Sequence, residues 1–123
     1  MRKLFTGLAL LLALIVAAEF FFAAMGGFHA SYRPHHVLGY VIFSMPIVMA
    51  VVAAVAKLPK RFLGMLLGVV ALTGFQVLVA KVAFAIGGTA GPIVFGLHAL
   101  GGMAIIALAV TILREARTVP AAA

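Results

Sequence analysis

Four long apolar segments dominate this chain and restrict it to a membrane fold. We predict four helices, over residues 4–25, 34–56, 62–86 and 93–113. Each segment supplies the roughly 20 apolar residues that cross a bilayer core of about 30 Å. The chain is 67% hydrophobic and only 9% charged, so it cannot cover a soluble globular surface. The sequence therefore predicts a single all-α domain over residues 1–123 that lies in the lipid bilayer.

The basic residues lie at alternate ends of these segments. They precede the first segment, separate the second from the third, and follow the fourth: Arg2, Lys3, Lys57, Lys60, Arg61, Arg114 and Arg117. This positive-inside pattern predicts a multi-pass protein of the plasma (inner) membrane, of bacterial type, with both termini in the cytoplasm. It also explains the net charge of +7 without a nucleic-acid partner. Short loops make consecutive helices antiparallel neighbours, which leaves helices two and four on a diagonal of the four-helix bundle.

Two histidines near the predicted outer ends of the second and fourth segments are each followed four residues later by a glycine. The pairs are His35 with Gly39 and His98 with Gly102. Positions i and i+4 share a helix face, so a flat group could lie below each histidine. Haem iron accepts two axial histidines, and diagonal helices could supply them. Alternatively, the histidines are interfacial or bind a neighbouring helix, and the glycines permit close helix contact.

Other residues near this pair leave the details open. His36 is an alternative to His35 as a ligand, and Arg33 could pair with a haem propionate or with a lipid phosphate. The chain has no cysteine, so a covalently attached c-type haem is excluded. Glycine pairs followed by proline, histidine and Leu-Gly occur twice, which suggests an internal repeat of two parallel two-helix halves.

Glu19 and Lys81 are charged residues inside predicted membrane segments. Such groups are costly and usually face the protein interior. We expect them to form a buried ion pair between diagonal helices. In the alternative, Lys81 extends to phosphates or propionates, and Glu19 handles protons.

The motifs His35-His36-Val37-Leu38-Gly39-Tyr40 and Leu97-His98-Ala99-Leu100-Gly101-Gly102 resemble those of a small bacterial family of four-helix integral membrane proteins of poorly known function. That family is similar to half of a haem A synthase and to four-helix b-type membrane cytochromes. The resemblance implies that His35 and His98 are axial ligands and that His36 replaces an arginine. The turn at Pro59–Arg61 and Gln76 also match. Haem A synthases carry an acidic residue just before the first histidine, where this chain has Ser31-Tyr32-Arg33, which argues against haem-modifying chemistry.

We therefore interpret the chain as a b-type cytochrome-like protein for electron transfer rather than an enzyme. The metal ligands would be His35 and His98, with Arg33, His36, Gly39 and Gly102 around the haem. A quinol or an extracytoplasmic redox protein would be the partner, and the protein could form a homo-oligomer. The alternatives are a haem carrier or sensor, a transporter or channel subunit that uses Glu19 and Lys81, and a structural subunit of a membrane complex.

Overall fold

The computed structural model describes residues 1–118 and consists of four long helices joined by short connections. They are α1 (Arg2–Gly27), α2 (Arg33–Val55), α3 (Arg61–Ile86) and α4 (Ala90–Thr118). All four are long and apolar enough to cross a bilayer. The predicted transmembrane four-helix bundle is thus confirmed. Residues 119–123 lie outside the described residues.

The helices extend beyond the apolar segments from which they were predicted. The largest difference is in α4, predicted over residues 93–113, which begins at Ala90 and continues through Arg114 and Arg117. Hydropathy marks only the part of a helix that lies in hydrocarbon, whereas the backbone hydrogen bonds of a helix continue into polar flanks. Pro34 occupies the first turn of α2, where its missing N–H removes no helical hydrogen bond.

The four helices pack around a square. The backbone contacts join α1 to α2, α2 to α3, α3 to α4 and α4 to α1. Within residues 1–118, α2 and α4 share no backbone contact, as expected for a diagonal pair. A side chain of α2 can therefore meet one of α4 only across the centre of the bundle.

The hydrophobic core fills one end of this square. We call this the terminal end, because α1 begins there and α4 ends there, and we call the opposite end the histidine end. Fully buried side chains of all four helices meet in the terminal half, including Leu12, Met49, Leu66 and Ile112. Arg61 and Glu115 close that end with an ion pair in which Nε and Oε2 lie 2.7 Å apart. The histidine end has fewer buried side chains and contains the polar groups.

Candidate functional site

Each helix contributes one polar side chain to a cluster at the histidine end. Glu19 comes from α1, His35 from α2, Gln76 from α3 and His98 from α4. The Glu19 carboxylate contacts His35, the ring of His35 contacts the ring of His98, and His98 and Gln76 contact each other through side chain and backbone atoms. Two groups that the sequence suggested separately, the histidine pair and the intramembrane carboxylate, therefore form one site.

The carboxylate of Glu19 lies against His35. Its Oε1 is 3.0 Å from Nδ1 of the imidazole, and the two side chains are 15% and 20% exposed. Gly39, one turn further along α2, faces the same carboxylate, since a Cβ atom there would lie 3.7 Å from Oε1. The second oxygen, Oε2, is buried, and neither Oε2 nor Nδ1 of His35 makes a hydrogen bond in the part of the chain that the structure describes. The two side chains are therefore in contact without being hydrogen-bonded to each other.

His98 and Gln76 are joined by two reciprocal contacts. The amide Nε2 of Gln76 donates to the backbone oxygen of His98, at 2.5 Å, and Nδ1 of His98 lies 3.1 Å from the backbone oxygen of Gln76. Because a carbonyl oxygen only accepts hydrogen bonds, Nδ1 of His98 must carry the proton. The Gln76 side chain is nearly fully buried, at 7% exposure. These contacts fix both the backbone and the ring of His98 against α3.

The two histidine rings meet across the diagonal of the bundle. The ring centroids of His35 and His98 are 6.1 Å apart, and the ring planes make an angle of 61°. The connections at the histidine end thus bring both rings to the same level, although His98 lies further from its proline along the chain than His35 does. The sequence predicted this pair, but it left the relative depth of the two rings undetermined.

Aromatic side chains hold both rings from the outside. Phe95 stacks on His98 with a centroid distance of 5.0 Å and an angle of 9°. Tyr32 packs edge-on against His35 at 6.1 Å and lies nearly parallel to His36 at 6.4 Å. An aromatic residue three positions before each histidine lies on the same helical face. This shared spacing was the signal in the sequence from which these two contacts could have been predicted.

Other predicted site residues lie outside the cluster. Lys81 is exposed and forms no ion pair among residues 1–118, and the partner of Glu19 is His35 instead. His36 is exposed and lies beside His35 with a centroid distance of 5.7 Å. Arg33 is exposed at the rim. It lines an apolar groove of about 500 Å³ together with Phe22, Ser31, Pro34, Val37 and Leu38.

The surface above Gly102 is occupied by other side chains. A Cβ atom on this glycine would lie 3.3 Å from the Phe20 ring and 3.7 Å from Nε2 of Gln76. The neighbouring Gly101 faces the amide of Gln76 directly, and a Cβ atom there would lie 2.6 Å from Oε1. These glycines therefore allow α1 and α3 side chains to cross the face of α4. The close approach of Gly101 to Gln76 did not follow from the sequence, because it depends on how α3 and α4 are rotated about their axes.

The number of metal-ligating side chains in the cluster bears on which kind of metal centre it could hold. No group of three or more histidine, cysteine, aspartate or glutamate side chains that could hold a metal ion exists within the described residues. A bare zinc or iron ion needs at least three protein ligands in most sites. Haem iron already has four porphyrin nitrogens and needs only axial ligands from the protein. Two facing imidazoles could supply those two axial ligands.

Comparison with known proteins identifies a family without an assigned activity. Residues 19–85, more than half of the chain, match the family of unknown function DUF6220. The chain belongs to this family. No curated protein and no solved structure matches it. The expected similarity to haem A synthases and b-type cytochromes therefore gains no support from the comparisons and stays a prediction.

Proposed function

We propose that this member of the DUF6220 family is a membrane b-type cytochrome-like protein. It holds haem b between His35 and His98, near the outer face of a bacterial plasma membrane, and transfers electrons. One observation carries the proposal. Two imidazole rings from diagonal helices lie 6.1 Å apart, while Nδ1 of each ring already contacts another group.

The separation of the rings suits two ligands of one iron atom. A metal–nitrogen bond is about 2.0 Å, and a ring nitrogen lies about 1.2 Å from its ring centroid. Two imidazoles on opposite sides of one metal therefore have centroids roughly 6 Å apart. The observed distance of 6.1 Å between His35 and His98 agrees with this value.

The contact of Nδ1 leaves Nε2 as the ligating atom of His98. Nδ1 of His98 donates to the carbonyl oxygen of Gln76, so the lone pair of the ring is on Nε2. Histidine ligands of metals usually donate their other N–H to a carboxylate or a backbone carbonyl. Nδ1 of His35 lies 3.0 Å from the Glu19 carboxylate but makes no hydrogen bond to it, so a small rotation of either side chain would complete the second such pair.

The charge of Glu19 supports a cationic ligand. A carboxylate inside a membrane segment is costly unless a positive charge compensates it. Lys81 does not approach Glu19, and a neutral His35 ring does not balance its charge. Ferric haem iron would add a positive charge on the far side of that ring. The buried and unpaired Oε2 of Glu19 is consistent with a site that is completed by such a group.

A porphyrin between the rings needs space that Phe20 takes up at present. The Phe20 ring covers Gly102, but it is 40% exposed, so rotation of its side chain moves the ring toward lipid rather than into the core. The thinly packed histidine end allows this movement at little cost. The fully packed terminal end would not, because side chains of all four helices fill it.

Electron transfer follows from the number of ligands. Bound haem supplies a one-electron couple, and two axial histidines leave no open position on its iron for oxygen chemistry. His35 and His98 would hold the cofactor, and Arg33 at the rim could pair with a propionate. The partner would be a quinol from the bilayer or an extracytoplasmic redox protein, because the positive-inside pattern favours an outer position for the histidine end.

A haem carrier is the second candidate, and the position of Phe20 favours it. A ring that closes over Gly102 when the haem leaves would suit reversible loading. A channel is less well supported. Fully buried apolar side chains from every helix, among them Leu12, Met49 and Leu66, fill the terminal half and leave no polar path through it in the described residues.

The proposal is tested by visible spectra of the detergent-purified protein from haem-supplemented cells, in the oxidised and dithionite-reduced states. The wild type should give the sharp reduced bands of a six-coordinate b haem. These bands should be lost in His35→Ala and in His98→Ala.

Two other histidines provide matched controls. His36→Ala and His29→Ala should both keep the spectrum, since His36 is exposed and His29 lies in the connection between α1 and α2. Loss of the bands in His36→Ala with retention in His35→Ala would reassign the first ligand. A colourless wild-type protein that remains fully helical after haem reconstitution would refute the proposal. Rapid transfer of the haem to an apo-acceptor would favour the carrier.

A further inference from the structure

We infer that Gln76 is the positioning residue for His98: its side-chain amide holds the backbone of α4 at His98 against α3, where Nδ1 of the ring reaches the backbone oxygen of Gln76 and Nε2 is directed away from it. The inference rests on the proposed function and adds a specific role for a residue that need not touch the haem. The amide of Gln76 donates to the backbone oxygen of the proposed ligand itself.

The two contacts between these residues act as one clasp. The amide of Gln76 holds the backbone oxygen of His98, and the backbone oxygen of Gln76 holds the ring. The ring of His98 therefore cannot turn without losing its contact to the Gln76 backbone oxygen, and the backbone of α4 cannot move away from α3 at His98 without losing its contact to the Gln76 amide. Phe95 stacks flat on the same ring and restricts its rotation about the remaining axis. The orientation of the ring is thus fixed before any cofactor binds.

The clasp is not explained by stability alone. The oxygen Oε1 of Gln76 is buried and has no hydrogen-bond partner among the described residues. The backbone oxygen of His98 could be satisfied within α4 without the amide, as in any helix. An apolar side chain of similar size would leave no buried amide oxygen unpaired. The glutamine thus leaves one buried oxygen unpaired and in return ties the backbone of His98 to α3.

Gly101 makes room for the clasp between Gln76 and His98. A Cβ atom on this residue would lie 2.6 Å from Oε1 and 2.9 Å from Nε2 of Gln76, closer than such atoms approach in real structures. Any side chain at position 101 would therefore push the amide away from His98. Gln76 and Gly101 are on different helices, so they provide two independent ways to break the clasp.

The first test needs no haem. Nitrogen NMR of the haem-free protein, labelled at histidine, reports which ring nitrogen of His98 is protonated. The wild type should show His98 as a single tautomer with the proton on Nδ1. The variants Gln76→Leu and Gly101→Ala should show a mixture of tautomers. A mixture in the wild type, or a single unchanged tautomer in both variants, would overturn the inference.

The second test uses the haem-loaded protein. The angle between the planes of two axial imidazoles controls the anisotropy of the EPR signal of low-spin ferric haem. The rings of His35 and His98 make a large angle of 61°, so the wild type should give one strongly anisotropic signal. In Gln76→Leu this signal should shift or split, and haem should dissociate roughly tenfold faster or more, as for other partners of metal ligands.

Thr73→Val is the matched control. Thr73 is buried on α3, but its hydroxyl donates to Val69 of the same helix and does not touch α4. This variant should keep the EPR signal and the dissociation rate of the wild type. The double variant Gln76→Leu/Gly101→Ala should lose no more haem affinity than the worse single variant, because both act through one clasp.

The outcomes separate this inference from the proposed function. Without haem in the wild type, the proposed function fails, while the NMR result on the haem-free protein still decides the role of Gln76. If the wild type binds haem through His35 and His98 but Gln76→Leu leaves the EPR signal and the dissociation rate unchanged, only the inference fails. Equal effects of Thr73→Val and Gln76→Leu would show a general packing role and would also overturn it.

Discussion

Replacement of Glu19 by glutamine should raise the reduction potential of the haem. The change keeps the shape of the side chain and removes the negative charge next to His35. That charge stabilises the ferric state, which is more positive than the ferrous state by one unit. Glu19→Gln should therefore favour reduction and shift the potential upward.

The size of the shift follows from the distance between the charge and the iron. Oε1 lies 3.0 Å from Nδ1 of His35. A further distance of about 2 Å across the ring and about 2 Å to the metal gives about 7 Å in total. At an effective dielectric constant of about 20, two unit charges at this distance interact by about 2.4 kcal/mol. For a one-electron couple this corresponds to about 100 mV.

Spectroelectrochemical titration of the purified protein measures this potential. Glu115→Gln is the matched control, because Glu115 is the other acidic residue of the chain and lies with Arg61 at the opposite end of the bundle. The reduction potential of Glu115→Gln should remain within about 20 mV of the wild-type value, since the charge of Glu115 is far from the haem site and is screened by salt. A Glu19→Gln potential equal to that of Glu115→Gln would refute the electrostatic role of Glu19.

Two further predictions concern packing. Leu66→Ala should lower the free energy of unfolding by about 2–5 kcal/mol, because Leu66 is fully buried, whereas the lipid-facing Leu67→Ala should change it by less than about 0.5 kcal/mol. Unfolding in mixed micelles measures both, and equal costs would contradict the assigned core. Phe20→Ala should speed haem uptake by the haem-free protein, because it removes the ring above Gly102, and the more exposed Phe21→Ala should not. If stopped-flow experiments gave the same rate of haem uptake for Phe20→Ala and the wild type, the Phe20 ring would not be the group that hinders haem entry.

The fold could be predicted from the sequence because hydrophobicity in a membrane is an almost sufficient signal. Segments as apolar as these have to span the bilayer as helices, since helices satisfy their own backbone hydrogen bonds. Short connections then fix which helices are neighbours, and the diagonal position of α2 and α4 followed from that. The ends of the helices could not be predicted well. Arg114 and Arg117 continue α4 although neither of them is apolar.

The site could be predicted in part. The spacing of His35 and His98 relative to their loops indicated that they would lie at the same end of the bundle. The partners of these histidines depend on how each helix is rotated about its axis, which nearly uniform hydrophobicity does not determine. Lys81 was therefore expected next to Glu19, whereas the rotation of α1 directs Glu19 toward His35. For the same reason, the contact between Gln76 and His98 became visible only in the structure.

The most direct test of the central claim is the haem content of the wild-type protein. The protein is purified from haem-supplemented cells, and its haem is quantified as the pyridine haemochrome against protein concentration. We predict one haem b per chain, with a reduced spectrum that carbon monoxide does not change, because His35 and His98 would occupy both axial positions in the proposed site. A fully helical protein that contains no haem, or haem that binds carbon monoxide readily, would contradict this account of the site.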